Sequence, residues 1–143
     1  MTEIIHKELS YIIVGLLFKT HKELGMCRNE KQYGDYFEKL LQEKKIKYVR
    51  EYKISDIQTD KIRCICDFFI DDKIIVEFKT KDFITKEDYY QVKRYLESMN
   101  LRLGILVNFR TKRLAPKRIL NSPDKYNADV ANRNANNTNA MKG

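Results

Sequence analysis

Three charged residues fall where an apolar pattern leaves little room for charge. Ile74, Ile75, Val76 and Phe78 form an almost unbroken apolar run, the mark of a buried strand. Glu77 lies inside that run and Lys79 follows it. The preceding apolar run, CICDFFI at 64–70, carries Asp67 in the same way. Charged side chains are rarely fully buried unless they are paired or bind something. Alternation along a strand puts Ile75, Glu77 and Lys79 on one face. Whether Asp67 joins them depends on the turn. A strict two-residue turn at Asp71-Asp72 would pair Ile70 with Lys73 and send the two acids to opposite faces. A three-residue loop, Asp71 to Lys73, pairs Ile70 with Ile74 and sets Asp67 across from Glu77, with Cβ atoms roughly 5 Å apart. One bulge in a two-residue hairpin has the same effect, and we expect one of these. Two facing carboxylates raise each other's pKa or recruit a cation. Their oxygen ligands suit Mg²⁺ or Mn²⁺ rather than zinc.

The elements that must position these residues follow from periodicity. Ile5, Leu9, Ile12, Ile13, Leu16, Leu17 and Leu24 trace one face of a long helix over about 3–24, which Gly25 ends. His21 falls on that face, either as a hydrogen-bonded core histidine or as a site residue. A second helix is expected over about 30–45, opened by Asn29 and Gln32 in capping-box spacing. Tyr33, Tyr36, Phe37, Leu40 and Leu41 form its stripe. Glu30 extends that stripe by one turn and should point toward the sheet, although a first-turn acid also favours the helix dipole. Strands are expected at 47–54, 61–70 and 73–78, then a helix at 85–99 opened by Thr85 and Asp88. A last strand at 101–109 should return parallel to the one carrying Glu77. The order α-α-β-β-β-α-β predicts a mixed four-stranded sheet flanked by helices.

The totals bound the partners. The chain has 143 residues and a net charge of +8, which favours an acidic partner such as nucleic acid. Arg110, Lys112, Arg113, Lys117 and Arg118 crowd one short stretch. They could grip a phosphate backbone, or could simply be a solvated basic segment. Cys27, Cys64 and Cys66 are odd in number and form no CxxC pair, so they read as small core residues in a reducing compartment. No secretory signal is visible and no apolar run approaches the ~18 residues of a membrane span, which points to the cytoplasm. One domain is expected over 1–121. The Asn-rich stretch 122–143 has almost no apolar content and is expected to be disordered.

Asp67, nine intervening residues and then Glu77-Phe78-Lys79 resembles the D…(D/E)xK signature of the PD-(D/E)xK nuclease superfamily. GLLFKTHKELG (15–25), EKQY (30–33), QVKRYL (91–96) and LGILVNF (103–109) extend the likeness over about residues 3 to 110. Together they resemble the GxxExxY family, which is placed in that superfamily. One departure is clear: Cys27 stands where that family has a glycine three residues before the motif glutamate. The resemblance implies a restriction-endonuclease-like core that hydrolyses DNA with Mg²⁺ or Mn²⁺, in repair, recombination or defence. It implies Asp67 and Glu77 as metal ligands, with the Phe78 carbonyl as a third. Lys79 is similar to the lysine that orients or activates the attacking water, Glu30 to an upstream helical acid, and Gln91 to a glutamine supporting the water or the scissile phosphate. His21 and Tyr33 match family positions for which it assigns no role. The alternative is a nucleic-acid-binding or partner-binding domain that keeps the fold without cutting. With no separate recognition domain visible, so small a nuclease could rely on a homodimer or a partner to choose its target.

Overall fold

Five strands, not four, make the sheet. The computed structural model describes residues 4–55 and 62–121. The expected tail at 122–143 lies outside the described residues. The elements are α1 (Lys7–Leu24), α2 (Glu30–Glu43), β1 (Tyr48–Ser55), β2 (Ile62–Ile70), β3 (Ile74–Lys79), α3 (Lys86–Met99), β4 (Leu103–Asn108) and β5 (Lys117–Leu120). The sheet runs β1-β2-β3-β4-β5. All neighbours are antiparallel except β3 and β4, which are parallel as the connecting helix requires. The fifth strand lies in the stretch that reads in sequence as a basic run. Its four residues include one buried side chain, Ile119, too few to show a period of two.

Local chemistry explains where the helices start and stop. Gln32 N–H donates to Asn29 Oδ1 at 2.8 Å, and Asn29 N–H donates back to Gln32 Oε1 at 3.1 Å. Thr85 and Asp88 form the same reciprocal cap on α3. Gly25 ends α1 at φ 76, a conformation that favours glycine. α1 begins at Lys7, later than the sequence suggests, behind a left-handed His6 with no side-chain cap.

α1 and α2 cover one face of the sheet and α3 the other. Ile13, Leu17, Tyr33, Phe37 and Leu41 pack on Phe68, Ile70, Val76, Phe78 and Phe109. On the far side Val92, Tyr95 and Leu96 pack on Ile75, Leu106 and Ile119. Ile12 is a correction to the sequence reading: it is 42 % exposed and lies outside the core.

The side-chain alternation of β1 and β2 breaks at one level. Tyr48 packs with the α1/α2 cluster, but Tyr52, four residues on, packs with the α3 cluster. In β2, Cys66 and Phe69 both join the α3 cluster, although a regular strand would put them on opposite faces. Pairing runs Arg50 to Phe68 and then Tyr52 to Cys66, skipping Glu51 and Asp67. Glu51 sits there at φ 55, a conformation that is uncommon for residues other than glycine. Both strands thus turn over at the level of Asp67.

Gly104 of β4 marks the closest approach of α3. A Cβ placed there would lie 2.6 Å from Val92 Cγ1. Gly104→Val should therefore cost about 1–3 kcal/mol of stability through overpacking. Val92→Ala, itself destabilising in the native background, should recover part of that loss when combined with it. Urea unfolding of the two single variants and the double variant measures the coupling.

Candidate active site

The loop is the three-residue one. Ile70 pairs with Ile74, Phe69 with Ile75 and Phe68 with Val76. Asp71 and Asp72 take left-handed conformations, and Lys73 N–H donates to the Ile70 carbonyl at 3.0 Å. This register sets Asp67 opposite Glu77, where backbone pairing stops. The side chains take over the bonding. Asp67 N–H donates to Glu77 Oε1 at 3.1 Å, and Phe78 N–H donates to Asp67 Oδ2 at 2.7 Å. The two acids thus lie together where the β2–β3 ladder opens.

Glu77 is 4 % exposed. Burial pushes its pKa well above the usual carboxylate range, and the Asp67 carboxyl beside it pushes further. Burial, and then the same two acids, push the Cys66 thiol up to about 12. Cys66 is thus the small core cysteine expected, whereas Cys27 is exposed and Cys64 half-buried, which corrects that reading for Cys27.

Lys79 leaves the end of β3 and turns toward α3. Its Nζ donates to Gln91 Oε1 at 3.1 Å and lies 3.9 Å from Asp88 Oδ1. Asp88 also holds Lys81 Nζ at 2.7 Å. Burial would raise the Asp88 pKa, but hydrogen bonds from Lys81 and Thr85 outweigh it, so the group titrates below its ordinary value. Asp88 reads in sequence only as a helix cap. Its place beside Lys79 follows from the way α3 lies across β3.

Glu30 is solvent-accessible at the start of α2. It shares a cleft of about 380 Å³ with Asp67, Glu51, Arg50 and Phe78. Glu77 and Lys79 lie outside the wall of this cleft. Burial raises the Glu30 pKa first, and the Asp67 charge raises it further, while Lys79 opposes the shift. Glu30 therefore feels Asp67 across the cleft and Lys79 beyond its wall.

Asn108, which the sequence reading passed over, fixes the exit from β3. It pairs with Lys79 across the parallel ladder. Its side-chain amide accepts from Lys81 N–H at 3.1 Å and donates to the Lys81 carbonyl at 2.7 Å. A buried asparagine closing an apolar strand was the available signal. Phe109 N–H donates to the Lys79 carbonyl at 2.9 Å, so the chain after β4 starts beside the lysine.

His21 and Tyr33 hold this end of the molecule. His21 Nε2 meets the Thr111 carbonyl at 2.7 Å. The Tyr33 hydroxyl donates to the Gly25 carbonyl at 2.6 Å, and its ring stacks on Phe109 at 4.2 Å. Both are positioning residues in the described contacts. The Tyr33 hydroxyl also accepts from Arg28 N–H, which ties down the loop containing Cys27.

The basic residues divide. Arg110, Lys112 and Arg113 are exposed on the loop leaving β4 at the Lys79 end. Lys117 is exposed on β5, paired with Leu106. Arg118 reaches elsewhere: its guanidinium bonds Ser10 Oγ and the Ile5 carbonyl of the α1 region. It is not brought to the site.

A family model of the PD-(D/E)XK nuclease superfamily matches residues 7–119, which span every element from α1 into β5. The chain belongs to the PD-(D/E)XK nuclease superfamily. No curated protein matches it. The core expected for such a nuclease is present, with one more strand than the sequence suggested.

The donor set fits the divalent ion that nucleases of this superfamily generally use. Two carboxylates and the Phe78 carbonyl would hold it. Among the described residues, no group of three or more His, Cys, Asp or Glu side chains could hold a metal. An all-protein cage is therefore not available there. Mg²⁺ is commonly held by one or two carboxylates and takes its remaining oxygens from water and phosphate.

A stability test follows. Glu77 has a folded pKa above its ordinary 4.5, so the folded chain binds more protons than the unfolded one above that pH. Its contribution thus becomes unfavourable as pH rises through the unfolded value. Glu77→Gln removes that penalty. In EDTA near neutral pH it should raise Tm by about 3 °C or more, and the gain should vanish as pH falls to the unfolded carboxylate range. Thermal unfolding across pH checks both. Added Mg²⁺ should raise the Tm of the native chain and leave that of the variant unchanged.

Proposed function

We propose that this protein is a nuclease that hydrolyses DNA phosphodiester bonds with Mg²⁺ or Mn²⁺. The observation that carries the reading is the meeting of Asp67 and Glu77 at the open end of the β2–β3 ladder, with Lys79 two residues on at the end of β3. The motifs shared with the GxxExxY family favour that subgroup, with Cys27 as its one departure.

A divalent ion held by Asp67, Glu77 and the Phe78 carbonyl would supply Lewis-acid activation of the phosphate and of the water that attacks it. The chain's own residues do the rest. Lys79 presents a positive charge where negative charge grows on the phosphate. Gln91 holds the Lys79 ammonium from α3, with the Asp88 carboxylate 3.9 Å away. Glu30 faces Asp67 across the cleft and accepts protons more readily than an ordinary glutamate. Arg110, Lys112 and Arg113 stand at the same end and offer charge to a phosphate backbone. Arg118 is spent on α1 and Lys117 stands further along the sheet.

Cleavage of single-stranded, duplex and branched DNA in Mg²⁺, Mn²⁺ or EDTA tests the reading. Cutting should require the ion and fall by about 10²-fold or more in Glu77→Ala and in Lys79→Ala. Gln91→Ala should lose less, because it acts through Lys79. Cutting that survives Glu77→Ala would reject the site. In a cleavage-dead Lys79→Ala background, replacing Arg110, Lys112 and Arg113 with alanine should flatten the salt dependence of DNA binding, by about one unit of slope for each lost phosphate contact.

A further inference from the structure

Among the described residues nothing covers the outer face of α1, which is more apolar than solvent contact alone explains. On the helix Tyr11 is 81 % exposed, Phe18 47 % and Ile12 42 %, and Ile4, in the segment before it, is 57 % exposed. Gly15 lies in their midst, and a Cβ placed there would meet nothing within 4 Å. A mid-helix glycine costs about 1 kcal/mol against alanine, and no contact among the described residues requires one at this position. Beside the stripe runs a groove of about 810 Å³ lined by Ile4, Tyr11, Val14 and Arg118.

We propose that this face is a homodimer interface in which two copies of α1 pack antiparallel across Gly15. A two-fold interface must be complementary to itself, and the charge order on α1 meets that condition in one direction only. At about 100° per residue, Glu8, Gly15 and Lys22 lie within about 20° of one line along the helix. Glu8 is seven residues before the glycine and Lys22 seven after. Antiparallel packing sets Glu8 against the partner's Lys22, twice. Parallel packing would set like charge on like. Tyr11 and Phe18 lie on the same flank of that line, four before and three after Gly15. Tyr11 therefore meets the partner's Phe18, whose ring enters the groove between Tyr11 and Val14. On the other flank Ile12 lies under the alkyl stem of the partner's Lys19. Gly15 at the crossing lets the two backbones approach. Exposed aromatics ringed by opposite charges are the composition of an interface centre. His21 ties the C-terminal end of α1 to the loop after β4, so the two candidate active sites would stand toward opposite ends of the helix pair.

Sedimentation equilibrium of the full chain tests this, whatever the fate of the nuclease reading. The native chain should dimerise with a dissociation constant of about 10 μM or tighter. Glu8→Lys and Lys22→Glu should each weaken the dimer by at least ~10-fold, since each creates two like-charge contacts. The double variant Glu8→Lys/Lys22→Glu should restore it. Phe18→Ser should weaken it without rescue. Circular dichroism and Tm confirm that the variants fold. A native chain still monomeric at about 100 μM would overturn the proposal. So would a dimer indifferent to both charge reversals, or a double variant that stays dissociated.

Discussion

Two carboxylates meet at the point where a strand ladder ends, and much of the site's arrangement follows from that contact. Asp67 and Glu77 replace the missing backbone bonds with their own side chains. This satisfies the backbone but leaves two acidic groups side by side in a buried place. Such a pair costs free energy until a proton or a cation offsets it. Burial and then the Asp67 carboxyl raise the Glu77 pKa accordingly. The break in alternation at Glu51 and Asp67 opens the sheet there and exposes Asp67 to the cleft below α2. Glu77 and Lys79 continue along β3 toward α3. The site is thus reached through the sheet rather than on one surface of it.

The surrounding structure fixes this local geometry. Asn108 clamps the chain as it leaves β3, and Phe109 binds the Lys79 carbonyl. Tyr33 stacks on Phe109, and His21 holds Thr111. Two helices from the start of the chain therefore brace a loop near its end. This accounts for an aromatic and a histidine in the motif segments without giving either a role at the reacting atoms. Arg50 serves α2 in a similar way. It bonds Asp35 at 2.6 Å and lies over the Phe68 ring, and Gly34 leaves room for its guanidinium.

Much of this was legible in the sequence, for definite reasons. The meeting of Asp67 and Glu77 followed from the constant index sum of a hairpin once the loop had three residues. The capping boxes at Asn29 and Thr85 are short-range signals and held to the residue. The parallel return of β4 followed from an intervening helix. Other features depend on how the elements pack. Asp88 looked like a cap because it comes beside Lys79 only when α3 lies over β3. Arg118 looked like part of a basic run because its partners are more than a hundred residues away in α1. β5 was too short to show alternation. Ile12 fitted the periodic stripe of α1, yet that stripe is wider than the face the sheet can cover.

The central claim is that Asp67 and Glu77 form one cation site. Titration of Mn²⁺ into the protein, followed by the electron paramagnetic resonance signal of the free ion, tests it without requiring catalysis. The account predicts one strong Mn²⁺ site per chain that is lost in Asp67→Asn and in Glu77→Gln and kept in Lys79→Ala. Binding of equal strength in the native chain and in both acid variants would contradict it.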